Sequence, residues 1–202
     1  MINNDLKVFQ ETCPYAIKCI INENLNKNIY KLRKDKTMNE KTLENLKAAF
    51  AGESQANRRY LAFAKKADTE GFKQAAKLFR AAAEAETVHA LKHLAVMDGI
   101  KSTKENLEAA IGGETFEFQK MYPVMIKQAE ADGEKGAIMS FTNANAVEEV
   151  HAGLFKNAFD NLSGLKEEEI WVCPVCGDTF VGSAPGNCPV CSTAREKFML
   201  IK

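Results

Sequence analysis

At 202 residues, with 46% hydrophobic and 27% charged side chains, the chain has room for one medium domain plus a small one and can bury a real core. Lys+Arg and Asp+Glu are 27 each, so the formal net charge is zero and neither nucleic acid nor an anionic membrane is indicated as a partner. No apolar run approaches a membrane span and no secretion signal opens the chain, so a soluble protein of a reducing cytoplasm is expected.

Residues 1–37 are rich in Asn, Lys and Ile, with weak periodicity and no clear caps. They read equally as an extension upstream of a start at Met38 or as an appended helix, and Cys13 and Cys19 stand alone within them. From 39 to 162 four amphipathic helices are expected, broken at Asp68–Gly71, Asp98-Gly99 and Asp132–Glu134. Their seams step by three and four residues. The first runs Leu43, Leu46, Phe50, Glu53, Asn57, Tyr60, Ala64, and the second Phe72, Ala75, Phe79, Ala82, Glu86, His89, His93. The third runs Leu107, Ala110, Glu114, Glu117, Met121, Met125, and the fourth Ala137, Phe141, Ala144, Glu148, His151, Phe155.

Near the middle of each seam an apolar slot is taken by Glu or His. A buried carboxylate without a partner is prohibitively costly, so such groups are paired or bound to metal. One such intrusion would be a satisfied core residue; four helices placing them at one height point to metal. Glu86-x-x-His89 and Glu148-x-x-His151 each put both side chains on one helix face. Glu53, Glu114 and Glu117 complete the set, the pattern of di-iron or di-manganese bundles of the ferritin type. Oxygen-rich ligation with one imidazole per ion suits iron or manganese better than zinc or copper. His93 lacks a Glu three residues before it and is expected to support the site or to pack. Tyr60 and Tyr122 lie along the same stripes, either as core aromatics or in a redox or substrate role.

The last stretch carries Cys173-Pro-Val-Cys176-Gly and Cys188-Pro-Val-Cys191, two knuckles separated by eleven residues. Four thiolates at this spacing close tetrahedrally on one ion, without which so short a segment lacks core enough to fold. Zinc and iron both accept such a site; beside a di-iron centre that takes electrons singly, iron is favoured.

Taken together, Ala51-Gly52-Glu53-Ser54-Gln55-Ala56, Glu86-x-x-His89, Glu114-x-x-Glu117 with Met121-Tyr122-Pro123, Glu148-Glu149-Val150-His151 and the cysteine tail make residues 38–202 resemble the rubrerythrins. The resemblance implies a ferritin-like di-iron bundle over 38–165 and a rubredoxin-like iron domain over 168–202. It implies Glu53, Glu86, Glu114, Glu117, Glu148 and His151 as di-iron ligands, Glu86 and Glu148 bridging, and one iron exchanging between Glu117 and His89 with oxidation state. It also implies reduction of hydrogen peroxide to water, fed from NAD(P)H through a separate reductase. A ferroxidase or iron-handling role, and a metal-binding electron carrier with a zinc-stapled tail, are the rival expectations.

One feature departs from a simple bundle. A helix of about 28 residues is roughly 42 Å long, and the few residues from Asp98 to Thr103 reach only about 20 Å when extended. Either the third helix runs antiparallel beside the second, or the first helix pair joins the second pair of another chain. The exchanged homodimer is favoured because it keeps the ferritin-like arrangement.

Overall fold

A computed structural model describes residues 38–202. The N-terminal extension, with Cys13 and Cys19, lies outside the described residues. The chain divides into two compact units, one ending at Met97 and one spanning Asp98–Lys202. As expected, four long helices precede a small strand-bearing module, and no described helix is long and apolar enough to cross a membrane.

The first unit is a helical hairpin of α1 (Glu40–Thr69) and α2 (Lys73–Val96). Asn39 caps α1 by accepting the Lys41 N–H at 2.9 Å, satisfying an otherwise orphaned donor. Gly71, at φ +85°, makes the left-handed turn that sends the chain back. Asp68 ties the turn to α2 through Arg80 at 2.7 Å and Lys73 at 3.2 Å, and these cations, Arg80 foremost, hold its carboxyl below the usual range. Ala64 and Ala67 on α1 are buried, as are Ala76, Ala83 and Ala90 on α2 at seven-residue steps. The α2 contact line is thus one residue removed from the expected stripe, and Phe72 and Ala75 of that stripe are exposed. Alanine methyls let two helix backbones approach closely, whereas the phenylalanines need the wider space beside the seam.

The second unit opens with α3 (Thr103–Phe116), started by a reciprocal capping box between Ser102 and Glu105. A π-helical segment, Glu117–Met121, joins it to α4 (Tyr122–Asp132), so the expected third helix is one helix interrupted at its centre. Pro123 accounts for the interruption. Its ring would clash with the carbonyl four residues back and it donates no hydrogen bond. The widened turn, closed by the Tyr122 N–H onto the Glu117 carbonyl, relieves that crowding. Gly133, at φ +72°, ends α4, and α5 (Lys135–Asp160) returns against both α3 and α4. Ala129, Val147 and Ala152 are buried in this hairpin.

The remaining segment folds as a three-stranded antiparallel sheet in the order β2–β1–β3, with β1 Ile170–Val172, β2 Thr179–Val181 and β3 Met199–Ile201. Trp171 lies opposite Phe180 on one side and Leu200 on the other. Its core is Cys173, Ala184, Cys188 and Phe198, with Phe180 stacked on Phe198 at 5.4 Å. So little apolar material is insufficient for independent stability, which is why the module depends on what its thiolates hold. Within this unit β2 packs on α5.

Candidate metal centres

Each unit carries one cluster of helical ligands. In the first, ligand atoms of Glu53, Glu86 and His89 all lie within 4.8 Å of one another. His89 Nδ1 stands 3.0 Å from Glu86 and 3.9 Å from Glu53. Hydrogen bonding to Glu86 raises Glu53 above the usual carboxylate range, and the same bond, with that of His89, holds Glu86 below it. Asn57, one turn beyond Glu53, is buried and donates to the Ala83 carbonyl at 2.7 Å and the Thr87 hydroxyl at 2.9 Å.

The second unit repeats the arrangement with Glu114, Glu148 and His151, again within 4.8 Å. His151 Nδ1 lies 2.8 Å from Glu148 and 3.9 Å from Glu114. Glu117 is outside this closest cluster, yet it is half-buried at the start of the π segment. Burial, then the Glu148 charge, raises both Glu114 and Glu117. Tyr122 is raised by burial and then by Glu117, Glu148 and Glu114, so its phenol keeps its proton beside the carboxylates. Tyr60 instead sits in an aromatic group, 6.3 Å from the rings of both Phe63 and Phe79. His93 is half-buried, and its charge, after that of His89, acts on Glu53.

Carboxylates gathered this closely repel one another unless protons or cations intervene. Two Glu-Glu-His clusters of matching composition therefore fit two divalent or trivalent ions with oxygen-rich, single-imidazole coordination. The groove between α4 and α5, about 430 Å³ and lined by Val124, Met125, Ala129 and Phe141, includes none of these ligands and is set apart from the chemistry.

The third centre is built from two equivalent knuckles. Gly177 N–H donates to the Cys173 carbonyl and Ser192 N–H to the Cys188 carbonyl, each at 2.9 Å. Both turns end in a left-handed residue, Gly177 at φ +91° and Ser192 at φ +60°. Cys173 and Cys191 sulfurs are 3.5 Å apart, as are those of Cys176 and Cys188. A disulfide needs about 2.05 Å, while bonds of about 2.3 Å around one tetrahedral ion put thiolates ~3.8 Å apart. The spacing fits an ion. Burial pushes the Cys176 and Cys188 thiols up, whereas hydrogen bonds from Thr193 overcome burial at Cys191 and bring it to about 6. A cation would level the spread among Cys176, Cys188 and Cys191, since metal binding requires the thiols deprotonated.

Two features of these centres were not anticipated from sequence. Asp178 is fully buried, with its carboxylate 3.5 Å from Cys188 Sγ. Thr179 reaches from β2 to the Nε2 of His151 at 3.0 Å. The Thr179 contact, 28 positions from its partner, left no trace in spacing.

The Rubrerythrin family model matches residues 44–159, and the model for the rubrerythrin rubredoxin-like domain matches residues 171–199. This chain belongs to the rubrerythrin family. It is 34% identical to nigerythrin of Nitratidesulfovibrio vulgaris over 171 residues, covering 78% of this chain and 85% of that protein. Rubrerythrin-1 of Clostridium acetobutylicum is 36% identical over 184 residues, covering 80% and 94%. Rubrerythrin of Porphyromonas gingivalis is 35% identical over 181 residues, covering 80% and 90%. A solved structure of nigerythrin in a partially reduced state aligns at 35% identity over 82% of this chain and 89% of its own, with a TM-score of 0.49. Rubrerythrin domains bind a di-iron centre and a rubredoxin-like iron, and the Glu/His clusters and four cysteines of this chain are the donor sets for both. The family is one of oxidoreductases.

Proposed function

We propose that this rubrerythrin-family protein is a peroxidase that reduces hydrogen peroxide to water and thereby protects the cell from oxidative stress. The observation that carries the reading is the combination in one chain of two matched Glu-Glu-His clusters and a four-thiolate module, whose Thr179 is hydrogen-bonded to His151 of one of them. Storage of iron needs the clusters alone; a dedicated electron inlet serves turnover.

In this reading Glu53, Glu86, Glu114, Glu117, Glu148, His89 and His151 hold the iron pair, and Cys173, Cys176, Cys188 and Cys191 hold the single iron. When bound, the pair supplies the two electrons that break the O–O bond, and the thiolate-held iron returns them one at a time from a rubredoxin or an NAD(P)H-linked reductase. The protein's part is electrostatic and positional. Its carboxylates balance the charge of the ions in either state. Tyr122, whose phenol is raised by burial and then by Glu117, Glu148 and Glu114, keeps its proton beside the clusters and is the proton donor of this reading. Glu117 sits where the π segment frees the backbone from helical pairing, so its side chain can exchange place with His89 as the charge of the site changes. Tyr60 packs in an aromatic cluster with Phe63 and Phe79 and serves the hairpin's core.

The proposed bundle spans 38–165 and the inlet 168–202, in a reducing cytoplasm where the thiolates stay free for metal. Bringing the two clusters into one centre is assigned to a homodimer with exchanged helix pairs. The chain from Met97 to Ser102 extends at most about 20 Å, less than the roughly 36 Å length of α2. Each unit also exposes large apolar side chains, among them Leu78 (69%), Val88 (61%), Val124 (69%) and Met139 (67%), which a partner hairpin would cover. Light scattering tests the dimer: a monomer in solution with full activity ends that assignment.

The reaction is tested by reducing the iron-loaded protein without oxygen and mixing it with peroxide or dissolved oxygen while following both ferric absorptions. Much faster oxidation by peroxide, with both centres responding, is expected. Preference for oxygen moves the assignment to ferroxidase, and a tail that never colours moves it to a zinc-stapled binding protein.

A further inference from the structure

Among the described residues, one hydrogen bond joins the helices of the second unit to the four-cysteine module, and it runs through the hydroxyl of Thr179. That oxygen lies 3.0 Å from His151 Nε2 and 3.0 Å from the carbonyl oxygen of Gly177, the residue that follows Cys176. A hydroxyl has one proton to give, and a carbonyl can only accept. The Thr179 proton therefore goes to Gly177, and Thr179 must accept from His151. The consequence falls on the imidazole: Nε2 carries the hydrogen and Nδ1 is left bare. Nδ1 is the nitrogen that faces Glu148 at 2.8 Å and Glu114 at 3.9 Å, where an ion would be ligated.

The surroundings hold this arrangement in place. Gly177 approaches α5 so closely that an added Cβ would meet Val147 at 3.8 Å, and Val147 precedes Glu148 by one residue. Thr179 begins β2 and its backbone pairs with Val172 of β1, so its hydroxyl is carried by a sheet and not by a loose tail. The first unit offers His89 no such partner: its described contacts are carboxylates at Nδ1 alone, and its side chain is 56% exposed against 26% for His151.

We infer that Thr179 is a positioning residue that sets the proton of His151 on Nε2 and couples the four-cysteine module to the helical metal site. The inference rests on the proposed function only in taking both centres to hold iron. It makes two roles of one hydroxyl: ligand orientation, and the shortest bonded route from Cys176 through Gly177 to His151. With iron in both centres, that route would carry one electron from the thiolate-held ferrous iron, oxidised to ferric, to one ferric iron of the helical pair, reduced to ferrous.

The test compares the full-length iron-loaded protein with Thr179→Val, which keeps shape and loses the hydroxyl, and Thr179→Ser, which keeps the hydroxyl. Two quantities are read, neither needing peroxide. One is ferrous affinity of the helical site by chelator competition. The other is the rate at which the thiolate-held iron, rapidly photoreduced, recolours as it passes its electron to the oxidised helical site under saturating iron. Loss of a hydrogen-bond partner behind a ligating histidine costs roughly 10–100-fold, so Thr179→Val is expected to fall by roughly 10-fold or more in both, with the module's red absorption intact. Thr179→Ser is expected to recover to within about 3-fold of the parent. Thr179→Ala replaces the valine variant should β2 not tolerate it. A hydroxyl-free variant equal to the parent in both readings overturns the inference, as does a serine variant as impaired as valine. A parent that fails to consume peroxide yet shows these differences would instead remove the peroxidase reading and leave Thr179 standing.

Discussion

The two Glu-Glu-His clusters are written with the same letters and sit in different surroundings. Around His151 both ring nitrogens are engaged, the ring is mostly covered, and the two carboxyls Glu114 and Glu117 are raised together by burial and by Glu148. Around His89 a single nitrogen is engaged and more than half of the side chain is exposed, while the bond between Glu53 and Glu86 shifts the two in opposite directions. One cluster is anchored from behind and the other is free to rearrange. The ligand exchange proposed for His89, and not for His151, is in keeping with what lies behind each ring, since the motifs themselves are identical.

The largest effect is expected from the module that provides the anchor. Replacing Cys188 with Ser removes one of four ligands, and for a segment with so small a core the binding free energy is folding free energy. Red absorption should vanish, residues 168–202 should become protease-sensitive, and peroxide turnover should fall by roughly 100-fold or more, with helix content by circular dichroism retained. Retained turnover would sever the link between module and cluster on which the comparison stands.

Next in size is the pair of histidine deletions. His151→Ala takes away a ligand held at both ends and should lower iron occupancy of the helical site roughly 10–100-fold in affinity. His89→Ala should keep near-normal iron content while slowing peroxide oxidation of the reduced protein. Equal loss of iron in the two variants, measured by metal analysis and chelator competition, contradicts the division into anchored and movable halves.

Much of this was legible in the sequence. The three- and four-residue steps gave four helices, because burying an apolar stripe requires that period. The carboxylates stood out because Glu53, Glu86, Glu114 and Glu148 occupy slots where an apolar residue is the default. The cysteine knuckles were legible because thiolate geometry fixes their spacing. What escaped depends on contacts that no local pattern encodes. The buried line Ala76, Ala83, Ala90 was displaced from the expected stripe because small side chains decide which face of a broad stripe meets its neighbour closely. The π segment is set by Pro123, six residues beyond Glu117, whose effect on the preceding turn is steric and easily taken for an ordinary first-turn proline. Thr179 acquired its role only when β2 came to rest on α5.

A smaller effect separates the clusters again, in the metal-free chain. Glu114 and Glu117 have folded-state values raised above 4.5, by burial first and then by Glu148. A raised carboxyl binds its proton more firmly in the folded state, so its contribution to stability is fully present below the unfolded value and is lost as pH rises through the folded one. In the first unit Glu53 behaves likewise, but Glu86, held low by Glu53 and His89, runs the other way and offsets it. Urea unfolding in chelator, followed from pH 4 to 7, should therefore show stability of the second unit declining with pH, while that of the first changes less. Glu148→Gln, which removes the charge acting on both neighbours, should flatten the second unit's decline without abolishing it, because burial remains. Parallel pH profiles for the two units would mean that exposure to solvent, and not the pairing of carboxyls, governs both clusters.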